Sequence, residues 1–367
     1  MEVYKILQNY FQQLPIELQL VWVLSAVLGI VALIFIAYLK ILRNSLRNKE
    51  ALKLKYLNNC EGLLLSFLFE EDSKDKLSEK QNEFINTVKN KSNDSFRREV
   101  ILETLLKLKN EVSGEIESAI QEVYLKSNLK DYAYLKLKSK KWYIIANGIK
   151  ELTQFKVKEA YPEIKKLIKH PTKEVRKKVQ LYLVSLFHFK GLEFLSTLKT
   201  ELSEWDQIEL LEELKYLDNQ EIPEITGWLN SKNNSVVMFA LKLVKIYNKY
   251  EDVNTLIQLL NHKTKKIRLQ VIEVLTHLQV LDAKDILKSN FKNYSKEEQI
   301  AIFKLLDNIY EPTDEKFILE NCNNNNFEIQ FLALKMLKSL NEEKFIKILN
   351  TKRNLKQHPI LNFVQNN

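Results

Sequence analysis

Glycine and proline are scarce in this sequence, six of each in 367 residues. A sandwich or barrel needs them at many corners, so their scarcity argues against an all-β fold. The glycines also stand apart, at Gly29, Gly62, Gly114, Gly148, Gly191 and Gly227. No two are close enough to make a P-loop, a GxGxxG turn or a GxSxG elbow, which removes the commonest sequence support for nucleotide binding and hydrolysis. Cys60 and Cys322 are distant and show no CxxC spacing, so neither a disulfide framework nor a structural zinc site is expected. The five histidines, His170, His188, His262, His277 and His358, include no HExxH pair. No catalytic residue, cofactor or metal site is assigned, and the chain is not expected to be an enzyme.

What is present is apolar sequence in long helical phrases. From Leu20 to Leu39 there are twenty residues without a charge, about 30 Å as a helix, the thickness of a bilayer's hydrocarbon core. Trp22 and Tyr38 sit near its two ends, where amphipathic rings favour headgroups. A cleaved leader would need a basic start, a shorter apolar core and a small-residue exit, none of which is found. The segment before it offers only Lys5, whereas Lys40, Arg43, Arg47, Lys49, Lys53 and Lys55 follow it. The positive-inside rule then predicts a short extracytoplasmic stretch over 1–18, a transmembrane helix over 19–39 and a cytoplasmic remainder. The basic flank, a juxtamembrane helix or linker over 40–56, is suited to anionic lipid headgroups, at about 1 kcal/mol per charge near the surface.

Beyond the flank, residues 57–350 read as a helical array, with 351–367 as a tail or cap. Residues 167–186 and 259–278 both run from an apolar helix end through a polar turn containing His into an apolar-Arg pair, Val175-Arg176 and Ile267-Arg268. His170 and His262 thereby occupy equivalent turns. Residues 229–244 align without a gap to 260–275, setting Val236 on Ile267, and Ile329 takes the same role in 325–337. SEWDQIELLEEL (203–214) matches SKEEQIAIFKLL (295–306), which adds Ile208 and Ile300. The six matched positions, 175, 208, 236, 267, 300 and 329, are expected to be buried anchors. Their intervals are 33, 28, 31, 33 and 29, a mean of about 31 residues. Pro162 and Pro223 are expected to open first helices, and Ser295 with Glu298 to form a capping box, which Ser203 with Asp206 imitates. Trp142 is expected to pack between repeats, and Asn321–Asn326 to form a turn. A unit this small must stack on its neighbours to bury its apolar faces, so an all-α solenoid of helical hairpins is predicted.

These residues resemble the HEAT-repeat family in its short, roughly thirty-residue class, whose signature is a polar turn followed by a V-R pair opening the second helix. The resemblance covers about residues 90–350. Arginine follows the anchor at 176 and 268, with Arg97 as a third in FRREV, while Val237 and Gln330 stand there in degenerate units. The layout also looks like that of membrane-anchored bacterial HEAT proteins, which implies a scaffold offering an extended surface to a protein partner. The alternatives are a solenoid enzyme, resembling a DNA glycosylase or a chromophore lyase, and a binder of anionic lipid or nucleic acid.

Net charge is +9, unevenly spread. Residues 139–200 carry fourteen Lys or Arg against five Asp or Glu, and 201–224 carry nine acids and only Lys215. The basic cluster comprises Lys140, Lys141, Lys165, Lys166, Lys169, Lys173, Arg176, Lys177 and Lys178. It reads as a solvated face, as a dock for an acidic protein surface, or as a contact with lipid or nucleic acid, nucleic acid being the least expected. Reversing Lys166, Lys173 and Lys177 is expected to weaken partner capture without unfolding the array.

Overall fold

The structure is a computed structural model that describes residues 15–68, 78–215 and 222–352, and no strand occurs among them. Residues 1–14 with Lys5, the Cys60 side chain and the tail cluster of Ile360, Leu361, Phe363 and Val364 lie outside the described residues. The chain divides into two compact units, one up to Ser139 with Gln154–Val157, the other Lys140–Thr153 with the chain from Lys158 onward.

The first unit opens on α1 (Ile16–Leu68), a 53-residue helix without interruption. Its first part is long and apolar enough to cross a membrane, and none of that window is buried. Every large apolar side chain from Leu20 to Leu42 is exposed, a contiguous surface far beyond what a water-soluble monomer shows. No break separates this stretch from the basic flank. The far end of α1 packs against α2 (Glu79–Lys91) and α3 (Ser95–Glu111). Lys53 pairs with Glu103 at 2.5 Å, Lys107 with Glu61 at 3.3 Å, and Tyr56 meets Phe96 edge-on. Two short helices, α4 (Glu115–Lys126) and α5 (Leu129–Leu137), complete the unit. Glu117 on α4 receives Lys109 and Lys156 at 2.7 and 2.8 Å, and these hydrogen bonds hold its carboxyl down at about 2.

The second unit is a stack of helical hairpins. It begins with most of α6 (Trp142–Gln154), then α7 (Tyr161–Lys165), whose second residue is Pro162 as expected. The long second helices of successive hairpins are α8 (Lys173–Phe187), α9 (Glu204–Lys215), α11 (Asn234–Tyr247), α13 (Lys265–Leu278), α15 (Lys296–Ile309) and α17 (Phe327–Leu340). Shorter first segments lie between them: a 3-10 stretch at His188–Thr197, α10 (Thr226–Leu229), α12 (Val253–Leu259), α14 (Asp282–Ser289) and α16 (Glu315–Asn321); α18 (Glu342–Lys352) follows the last hairpin. Pro223 precedes α10 instead of opening it, since the helix starts at Thr226.

The repeat register is tighter than the sequence match suggested. The residues just before the second helices are Thr172, Ser203, Asn233, Thr264, Ser295 and Asn326, all of a type suited to cap a helix start, although the Thr172 and Thr264 side chains make no cap hydrogen bond. Their intervals are 31, 30, 31, 31 and 31. Three residues on, the buried anchors are Val175, Asp206, Val236, Ile267, Glu298 and Ile329. Ile208 and Ile300, expected in this role, lie two residues farther along, and Ile208 is 44% exposed. A match weighted on apolar residues cannot see a core position filled by an acid.

The acids are buried because each is doubly neutralised. Glu298 accepts the Ser295 amide at 2.9 Å and pairs with Arg268 of the preceding second helix at 2.7 Å. Asp206 accepts the Ser203 hydroxyl at 2.5 Å and faces Lys177 and Lys173 at 3.3 and 3.5 Å. Burial pushes both carboxyls up, but these partners outweigh it and hold both below the usual range. Each acid therefore joins its own helix start to the repeat before it.

The fourth residue of the register clamps the turn. Arg176 donates to the His170 and Pro171 carbonyls at 2.8 and 2.7 Å, and Arg268 to those of His262 and Lys263 at 2.8 and 3.3 Å. Gln207, Gln299 and Gln330 donate to the Leu202, Tyr294 and Cys322 carbonyls. In the first unit Arg98, not Arg97, does this work, donating to Ser92 at 2.8 Å. The expected equivalence of the two histidine turns holds: the Thr172 and Thr264 amides donate to Nδ1 of His170 and His262 at 3.1 and 3.0 Å.

Two second helices end on a left-handed residue, Asn248 at φ 50° and Gln279 at φ 53°. A Cβ-bearing residue pays about 1 kcal/mol or more for that conformation, and glycine does not. Gln279 is exposed, so Gln279→Gly is expected to stabilise the protein by about 0.5–1 kcal/mol, readable as a higher thermal midpoint.

Candidate functional site

The nine basic residues singled out in the sequence all lie in the second unit, but they do not form one free surface. Arg176 gives its Nη1 to its turn. Lys177 bridges Asp206 and Glu209 at 3.3 and 3.0 Å, and Lys173 faces Asp206. Lys166 pairs with Glu163 at 2.8 Å, and Lys165 reaches the Tyr161 hydroxyl at 2.6 Å. Lys141 lies 6.0 Å from the Tyr143 ring centre. No ion pair is seen for Lys140, Lys169 or Lys178 among the described residues. Charge reversal at Lys177 therefore acts on the fold as well as on any partner, contrary to expectation. Among the flanking residues, Lys53 is likewise spent on Glu103, whereas Lys40, Arg43, Arg47, Lys49 and Lys55 are exposed on α1.

A different surface emerges from the corrected register. The fifth position of each second helix is Ile208, Met238, Leu269, Ile300 and Phe331 from α9 to α17, at intervals of 30, 31, 31 and 31. Ile208 is exposed and the other four are half-buried. The two isoleucines missing from the anchor row belong to this apolar row. A groove of about 520 Å³ lies on it, floored by Leu269, Ile300 and Ala301 and edged by Lys245, Lys304, Glu297 and Glu328. Lys266 on α13 pairs with Glu204 on α9 at 2.5 Å, across 62 residues and over the intervening α11. Side chains two repeats apart can meet only on the inner side of a curve, so the second helices face inward here. Lys242 sits beside this bridge, and burial, with Lys266 nearby, pulls its ammonium below the usual range.

The tryptophans do not converge on a ligand platform. Trp142, expected to pack, is 46% exposed and meets Tyr143 edge-on. Trp205 is exposed and donates to Glu209, while Trp228 is buried and donates to the Ser196 hydroxyl. Cys322 is buried. Among the described residues no group of three or more His, Cys, Asp or Glu side chains is arranged to hold a metal ion.

Comparison with known proteins leaves the chain without a family assignment: no family model matches it, and no curated protein is significantly similar.

Proposed function

We propose that the chain is a membrane-tethered scaffold of the HEAT-repeat type that captures a protein partner on the inward face of its second helices. The apolar row from Ile208 to Phe331 carries this reading, because half-exposed apolar side chains repeating once per hairpin form a track that only a bound chain would cover. The occupant it fits is an amphipathic helix, its apolar stripe on Leu269 and Ile300 and an acidic group toward Lys245, since Lys304 and Glu328 pair with each other at 3.9 Å and Glu297 pairs with Lys265 at 2.6 Å. Tethering falls to the exposed apolar part of α1, and the basic residues after it favour a cytoplasmic repeat unit.

The test is photo-crosslinking in native membranes from a probe at position 300, with a probe at exposed position 320 on α16 as control. A product from 300 alone is expected, and Leu269→Asp with Ile300→Asp should reduce it at least tenfold while leaving the thermal midpoint within a few degrees. Capture that survives the double substitution would retire the proposal.

A further inference from the structure

The two histidine turns are built alike, and the difference between them exposes a site. In the turn at 262–268, Arg268 gives Nη1 to two carbonyls and its Nε to the Glu298 carboxylate at 2.7 Å. In the turn at 170–176, Arg176 gives Nη1 to the matching carbonyls. The acid at the equivalent place is Asp206, one methylene shorter and held by Ser203, Lys177 and Lys173. Nε and Nη2 of Arg176 thus have no carboxylate among the described residues.

Beside Arg176 there is a groove of about 270 Å³, lined by Lys169, His170, Arg176, Thr197, Lys199 and Thr200 together with apolar residues. No acid lines it; Glu201, next to Thr200 in sequence, does not. Neither Lys169 nor Lys199 forms an ion pair among the described residues. Because Nδ1 of His170 accepts the Thr172 amide, the neutral ring carries its proton on Nε2, a further donor. The Thr197 hydroxyl donates to the Phe194 carbonyl at 3.3 Å, so the exposed Thr200 is the hydroxyl left to donate.

We infer that this groove binds a phosphate monoester, whose oxygens take the place that Glu298 holds in the sister turn. A guanidinium whose Nε–Nη2 edge is free matches a pair of phosphate oxygens, and Lys169 and Lys199 add point charge. Three cations and no acid suit a dianion better than the single charge of a carboxylate. The ester is either a soluble metabolite or residue, or the headgroup of a phosphatidate. This site is separate from the apolar track, so its failure and that of the scaffold reading are independent.

The full chain in a neutral maltoside detergent is titrated calorimetrically at constant ionic strength with inorganic phosphate, O-phosphoserine and a short-chain soluble phosphatidate. Saturable binding of at least one is expected. Binding of phosphatidate alone identifies a lipid headgroup, and binding of the other two identifies a soluble ester. Lys169→Gln with Lys199→Gln should weaken binding at least tenfold. Asp206→Glu, which restores the acid of the sister turn, should do the same with its capping role intact. No saturable binding by any of the three, or an affinity that either variant leaves unchanged, overturns the inference.

Discussion

Asp314→Ala is expected to destabilise the second unit by about 3–5 kcal/mol, the usual consequence of removing one partner from a buried ion pair. Asp314 is fully buried just before α16, where it accepts the Glu311 amide at 2.9 Å and faces Lys288 and Lys284 of α14 at 2.5 and 3.0 Å. Both lysines are largely buried, with side chains 17% and 5% exposed. Truncation removes the one buried acid that both lysines share, leaving Lys284 only the half-exposed Glu311 and Lys288 only the exposed Asp285, and frees a helix start at once. The same Lys288 also pairs with Asp285, whose side chain is 82% exposed. Asp285→Ala is therefore the matched control and should cost less than about 1 kcal/mol. Urea unfolding of the full chain in detergent measures both.

Acid should erase that difference. Burial pushes the Asp314 carboxyl up, but Lys288, the Glu311 amide and Lys284 together hold it below its ordinary value of 3.8. A carboxyl whose folded pKa lies below the unfolded one contributes fully above the unfolded value and loses its contribution as pH falls through the folded one. The gap between wild type and Asp314→Ala should stay constant from pH 7 to about 5 and shrink below about 4. A gap that widened in acid would contradict the pairing.

Gly191→Ala is expected to be as damaging through a different cause. Gly191 lies in the 3-10 stretch at 188–197, where an added Cβ would stand 2.1 Å from the Leu183 carbonyl oxygen and 2.8 Å from the Val184 nitrogen. Both belong to the backbone of α8, which cannot step aside as a side chain can. The stretch would have to lift away, loosening Phe189, Leu192 and Leu195, all buried. A loss of about 3 kcal/mol or more follows, at the upper end of overpacking effects. Gly227, in α10, has nothing within 4 Å of its added Cβ. Gly227→Ala should be neutral or stabilise by up to about 1 kcal/mol, which separates close approach from any general requirement for glycine.

The sequence conveyed most of the fold because helix periodicity and caps are local. The uncharged run from Leu20 to Leu39 lies inside α1, the Ser295–Glu298 box forms as spaced, and the paired histidine turns share one hydrogen bond. What escaped was non-local. That Asp206 and Glu298 are core residues depends on Lys177 and Arg268 about thirty positions earlier, and nothing at 206 or 298 alone announces it. Arranging apolar residues first therefore moved two anchors onto Ile208 and Ile300 and hid the groove row those isoleucines belong to. The basic cluster was legible as composition, but ion pairing with the acidic run that follows took Lys173 and Lys177 out of it. The end of the basic flank was invisible because α1 does not stop there.

That uninterrupted helix sets a limit on reach. Fourteen residues separate Leu39, the end of the uncharged run, from Lys53, which touches α3. As helix they measure about 21 Å along the axis; as a loose linker their r.m.s. span would be about the same, 5–6 Å per square root of residue number. The averages coincide but the distributions do not. A coil would let the packed helices of the first unit graze the lipid as often as retreat from it, whereas a rod excludes the near distances. On the tethered reading, α1 acts as a standoff that keeps the packed helices of the first unit clear of the bilayer surface.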